Sequence, residues 1–224
     1  MIQGLIESAK KLKAVWIIVL IIAGMVLLTH LFPRSTDKIV YNESLEEVIA
    51  TVEGVDITLR DFAVYVAHQE AEVEALARVY DENPKKYWNL HTDGVFIRQK
   101  ARDEALSMAI HDELFFQLSG EWELALSDEE KELVESETND FWMDLTDEGK
   151  EERLGISKED VYKTMEKIAI AEKCQTIYAK LNGVEYEQYQ ASEEYFLEFI
   201  KDYEYEVDEK LLDRLDFGEI TLEH

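Results

Sequence analysis

Cysteine, proline and positive charge are what this chain has least of. A single cysteine, Cys174, among 224 residues excludes an internal disulfide, so the fold has to be held by its core. Two prolines, Pro33 and Pro84, leave almost the whole length free to continue helices. There is no glycine-rich phosphate loop and no GxSxG elbow, which removes the commonest nucleotide sites and serine hydrolases. Only 23 basic side chains face 50 acidic ones, a net charge of −27 that disfavours nucleic acid and anionic lipid as partners.

Long apolar runs are also scarce, with one exception. Ala14 to Phe32 reads AVWIIVLIIAGMVLLTHLF, uncharged throughout and placed directly behind Lys10, Lys11 and Lys13. As a helix it would span roughly 28 Å, close to the ~30 Å hydrocarbon core of a bilayer. The preceding lysines predict a cytoplasmic N-terminus, residues 1–13, and an extracytoplasmic body. Cleavage as a signal peptide is disfavoured, because the run exceeds the usual h-region and Thr29 to Ser35 offers no small-x-small site. The expectation is a single-pass cell-membrane protein with its anchor retained.

Residues 34–224 hold 20 basic and 49 acidic side chains, a net charge of −29. Most of these carboxylates are expected on solvated helix faces; attraction to basic or unfolded clients, or to divalent cations, is the sharper reading. Residues 33–47 read as a stalk, and 48–224 as one mainly helical domain with short strands near both ends. Val48–Val52 and Asp56–Thr58 flank a Glu53-Gly54-Val55 turn. Helical spacing then runs from Leu59 to about Asp81, Asn83-Pro84 breaks it, and Lys85 to Leu90 reads as a loop. Thr92 is a candidate cap for a helix reaching Ser119, burying Phe96 and Leu114 and stopping at Gly120. Ser127-Asp-Glu-Glu130 and Ser157-Lys-Glu-Asp160 resemble capping boxes and begin two more helices, the second ending at Asn182-Gly183. Ser192 and Asp208 begin shorter helices, and Glu219 to Leu222 reads as a last strand able to pair with the first.

No catalytic constellation emerges. None of the five histidines, His30, His68, His91, His111 and His224, belongs to an HExxH pair or a Cys/His cluster. His68 and His111 read as surface residues, and Cys174 as a small helix residue. Asp144 to Gly149 resembles the start of a calcium loop, but its twelfth position is Gly155, where a bidentate glutamate is needed. No catalytic, cofactor or metal residues are assigned. Aromatics are the remaining resource. Phe115-Phe116 and Phe141-Trp142 are adjacent pairs, and helix neighbours point about 100° apart, so one of each can face a groove instead of the core. Trp88, Phe115, Phe116, Phe141 and Trp142 are therefore the candidate client-binding residues.

The order of segments resembles the SurA/PrsA-type extracytoplasmic chaperones of bacteria. Ala50-Thr-Val-Glu-Gly-Val-Asp-Ile-Thr-Leu-Arg-Asp-Phe62 is similar to the opening of their N-terminal domain. Arg102 to Leu114 resembles a helix ending in "I-x-x-E-L", and Leu126 to Glu130 resembles a "v-S-D-E-E" helix start. Gly155 to Tyr162 with Ile168 to Lys173 is similar to the last N-domain helix, and Leu215 to Leu222 to the returning tail. The resemblance implies a SurA N-domain-like helical fold that binds unfolded or newly exported polypeptides. Isomerase members carry a parvulin domain between that last helix and the tail. Only 41 residues follow Gly183, so the resemblance implies client binding without isomerase activity. The alternative is a non-catalytic adaptor or structural subunit of a membrane or secretion complex.

Overall fold

The computed structural model describes residues 38–80 and 83–222. The expected membrane span, Ala14 to Phe32, lies outside them, as do residues 1–13 and the start of the expected stalk. Among the described residues no helix is long and apolar enough to cross a membrane.

The body is mainly helical with a few short strands. Strand β1 (Val48–Val52) and β2 (Val55–Thr58) form the expected hairpin, with Val52 opposite Val55. Its two turn residues, Glu53 and Gly54, both take positive φ (48° and 78°), the twist that a two-residue hairpin turn demands. Helix α1 (Leu59–Tyr80) follows without a break and buries Phe62, Ala63 and Val66. Helix α2 (Pro84–Trp88) occupies the start of what reads as a loop. Pro84 sits in its first turn, where no amide hydrogen is required.

Next comes a second small hairpin in place of the expected helix start. It joins β3 (His91–Thr92) to β4 (Val95–Phe96) through Asp93-Gly94, again both at positive φ. Thr92 is therefore a strand residue, and Phe96 is exposed. Helix α3 (Ile97–Glu121) then runs past Gly120 and ends at Trp122. Helix α4 (Asp128–Asp147), α5 (Lys150–Leu154) and α6 (Lys158–Asn182) complete the bundle. Both expected capping boxes form, Ser127 with Glu130 and Ser157 with Asp160. The core lies where α3 packs against both α1 and α6, with α4 laid over α6.

Short helix α7 (Glu194–Phe199), β5 (Tyr205–Val207) and α8 (Glu209–Leu212) close the chain. The sheet order is β2-β1-β5, with Ala50 opposite Val207. The strand that returns to β1 is thus Tyr205–Val207 and not Glu219 to Leu222. The segment read as a stalk also belongs to the body from Lys38 onward. Tyr41 is buried and its hydroxyl donates to the Leu59 carbonyl at 2.6 Å.

Residues 218–221 do something a strand would not. Their donors converge on the carboxylate of Glu70, which is fully buried in α1. The amides of Gly218 (2.5 Å), Ile220 (3.2 Å) and Thr221 (2.7 Å) and the Thr221 hydroxyl (2.5 Å) all donate to it. A Cβ on Gly218 would fall 2.6 Å from the Trp88 ring, and its φ is +91°, so only glycine fits this close approach. Ion pairs flank the contact. Arg98 reaches Asp216 at 2.5 Å, Lys85 reaches Glu219 at 3.1 Å, and Arg102 reaches Asp213 at 2.8 Å.

Candidate binding cleft

A cleft of about 530 Å³ opens between α1, α3, α4 and α6, closed at one end by the loop Tyr186 to Ser192. That size falls within the range of small ligand-binding clefts. Its apolar wall is built from Val64 on α1, Met108 on α3, Phe141 on α4, and Met165 and Ile168 on α6. Val64 is buried, and the other four are half-buried. Met165 and Ile168 are three residues apart, so they stand on one face of α6. Two methionines give this wall side chains that re-form around differently shaped partners.

The polar wall is acidic. Glu72, Glu104, Asp112 and Glu172 line the cleft, and among the described residues no lysine or arginine does. Asp112 is held in place, accepting from the Tyr65 hydroxyl at 3.0 Å and facing His111 Nδ1 at 2.7 Å. The other ring nitrogen of His111 lies 2.9 Å from the Tyr189 carbonyl, an acceptor to which it donates. His111 is buried, contrary to the surface position expected for it, and it pins the closing loop to α3. His68, by contrast, is exposed as expected.

Glu172 is different from the other three. It is open to solvent in the cleft, yet the surrounding walls push its carboxyl above the ordinary range. The negative charges of Asp112 and Glu137 add to the shift, and His111 opposes it. The same field reaches Tyr186, whose phenol is pushed up to about 12 by burial first and then by Glu172 and Asp112. Cys174 lies on the buried side of α6, where burial pushes its thiol up to about 12. It is protonated at neutral pH and unfit as a nucleophile. Among the described residues no group of three or more His, Cys, Asp or Glu is arranged to hold a metal ion.

The five aromatics named from sequence separate. Trp88 and Phe115 are fully buried. Trp88 supports Gly218 and donates to Glu74 at 3.2 Å, and Phe115 stacks on Phe199 with centroids 5.2 Å apart. Neither presents surface to a ligand. Phe116 points out from the other side of α3, at 37% exposure, which is the division expected of adjacent helix residues. It lines a second concavity of about 390 Å³ beside Arg60, Lys163 and Lys167. Phe141 lines the main cleft, and Trp142 is half-buried beside it on α4. Met108, Met165, Ile168 and Glu172 also line the cleft and are not among the five aromatics named from sequence. Nothing local separates them from other helix-face residues.

No family model, no curated protein and no solved structure matches this chain. The resemblance to SurA/PrsA-type chaperones therefore rests on the ordered phrases alone.

Proposed function

We propose that this protein is a membrane-tethered extracytoplasmic holding protein that captures unfolded or newly exported polypeptide in the cleft between α1, α3, α4 and α6. The observation that carries the reading is the make-up of that cleft. An adaptable wall of Met108, Met165, Ile168 and Phe141 lies open beside a solvated acidic rim. Holding an unfolded chain needs many weak, adjustable contacts and no fixed catalytic group. The large negative charge keeps holder and client soluble together.

The test is aggregation of three unrelated unfolded proteins with the full chain in nanodiscs. Near-stoichiometric suppression is expected, together with its loss in a Phe141→Ser/Met165→Ser double variant. No effect on any of the three sinks the proposal. A second reading, a non-catalytic adaptor in a membrane complex, is favoured by the modest size of the cleft, which suits one short segment of a single partner. Crosslinking in the native membrane would then yield one dominant partner joined near Phe141.

A further inference from the structure

We infer that the cleft selects apolar polypeptide segments that carry a lysine or arginine, with Glu172 receiving the cation; this rests on the client-binding reading above. The first support is a count of charges against partners. Glu72 has His68 at 3.8 Å, and Glu104 accepts from Gln69 at 2.8 Å with Lys100 at 3.7 Å. Asp112 has both Tyr65 and His111. Among the described residues no side chain hydrogen-bonds or ion-pairs with the Glu172 carboxylate; Asp112 and Glu137 repel its charge and His111 attracts it from a distance, already committed to Asp112 and the Tyr189 carbonyl. An acid so placed has no cation in contact with it.

The second support is independent of charge. Gln175 stands three residues further along α6, on the same face, and is fully buried in the wall of the cleft. Its amide nitrogen donates to the Tyr186 carbonyl at 3.0 Å, while its Oε1 meets no donor among the described residues. Buried acceptors are ordinarily paired, so this one marks a place where a donor is wanted. An ammonium brings three donors and a guanidinium five to this wall of the cleft. A neutral apolar segment brings Glu172 no cation, and an acidic one would add a like charge.

The neighbouring concavity provides the contrast. Its cations are already matched: Arg60 with Glu46 at 2.6 Å and Asp160 at 3.5 Å, Lys163 with Glu159 at 3.5 Å, and Lys167 with Glu113. It has no charge left to offer an acidic ligand. The acidic cleft has one.

The experiment uses three fluorescent peptides with the same apolar residues and a single central Lys, Gln or Glu, titrated against the full chain in nanodiscs at low salt. The Lys peptide is expected to bind about tenfold tighter than the Gln peptide, equivalent to about 1.4 kcal/mol, and the Glu peptide weakest. Glu172→Gln should bring the Lys peptide to within about twofold of the Gln peptide, whose own affinity stays unchanged and reports an intact cleft. Glu206→Gln, the same charge change on β5 outside the cleft, should leave the preference in place. Equal binding of all three peptides overturns the charge selection while the client-binding reading stands. A preference that survives Glu172→Gln, or falls as much with Glu206→Gln, assigns it to the acidic surface at large and overturns the role of Glu172. Absence of binding by any peptide overturns the inference together with the reading beneath it.

Discussion

Two glutamates on long helices of this body have opposite surroundings. Glu70 on α1 is sealed from water and accepts four hydrogen bonds, all from residues about 150 positions later in the chain. Glu172 on α6 is open to water and accepts none from the described residues. Burial pushes the Glu70 carboxyl upward, and the donors of Thr221, Gly218 and Ile220 pull the other way. Crowding by the cleft walls raises Glu172 too, but with no hydrogen bond opposing it. Among 50 acidic residues, then, acidity itself says little about role. What separates them is whether the fold supplies the donors. Where it does, the carboxylate is a structural fastener. Where it does not, the carboxylate is left for something else to satisfy.

Glu70→Gln gives the largest expected effect. The amide leaves one acceptor oxygen and turns an NH2 group towards backbone amides that also donate. A loss of about 3–5 kcal/mol is expected, the usual cost of breaking a buried charged network from one side. Urea unfolding checks it, and the same measurement on Glu172→Gln should move by less than about 0.5 kcal/mol. A small loss at Glu70, or a large one at Glu172, would erase the distinction between them. Gly218→Ala comes next. Its methyl would meet the Trp88 ring at 2.6–2.9 Å from a backbone at φ +91°, at a cost of about 1–3 kcal/mol. Hydrogen exchange at the Thr221 amide should quicken in that variant, while exchange in the centre of α6 keeps pace only with the global loss.

The same contrast explains what could be read from the sequence. The β1–β2 hairpin, the length of α1 and both capping boxes were legible because their signals are local: Glu53-Gly54 at a turn, Ser127 three residues before Glu130. Helix α2 and the β3–β4 hairpin also have short-range chemistry behind them, Pro84 at a helix start and Asp93-Gly94 at a tight turn, although hydrophobic spacing alone suggests a loop and a helix start there. The fate of the tail was not legible. Glu219 to Leu222 alternates like a strand, but its partner is one carboxylate on α1, and nothing near either segment announces the other. The burial of His111 is hidden for the same reason, since Asp112 is its neighbour but Tyr189 is 78 residues away. The candidate site suffered most. Among the five aromatics Phe141 lines the main cleft, whereas Trp88 and Phe115 are taken up by the core, as large aromatics commonly are. The acids of the cleft could not be chosen from sequence when so many others flank them.

A third glutamate lies between the two extremes. Glu130 is half-buried on α4 and has partners on both sides: it accepts from the Ser127 amide at 2.6 Å and from Lys173 of α6 at 2.7 Å. Ser127→Ala removes the acceptor for the Glu130 amide and one half of the box, and should cost about 1 kcal/mol in thermal or urea unfolding. An effect near zero would mean that packing of α4 on α6 alone holds that helix end.

The pH dependence of stability should distinguish Glu130 from Glu172 by sign, and it is the smallest effect expected. The Lys173 ammonium first, then the Ser127 amide and hydroxyl, hold the Glu130 carboxyl down to about 2 from an ordinary 4.5. The folded state therefore binds that proton less readily than the unfolded chain does. Its contribution is fully present above about pH 4.5 and is lost as the pH falls towards 2. Glu172 is shifted the other way, so the folded state holds its proton more readily. Its contribution is present below the ordinary carboxylate range and is lost as the pH rises through the raised value. Glu130→Gln should accordingly flatten the acid limb of a melting-temperature profile, and Glu172→Gln should flatten a shallow decline just above the ordinary range. A saturating Lys peptide acts on Glu172 as the Gln substitution does, by removing the reason to hold the proton, so it should reduce that decline in the wild type to the part that Glu70, also shifted upward, supplies, and leave the acid limb of Glu130 unchanged. If the peptide alters the Glu130 limb instead, the cation is binding at the α4–α6 contact and not in the cleft.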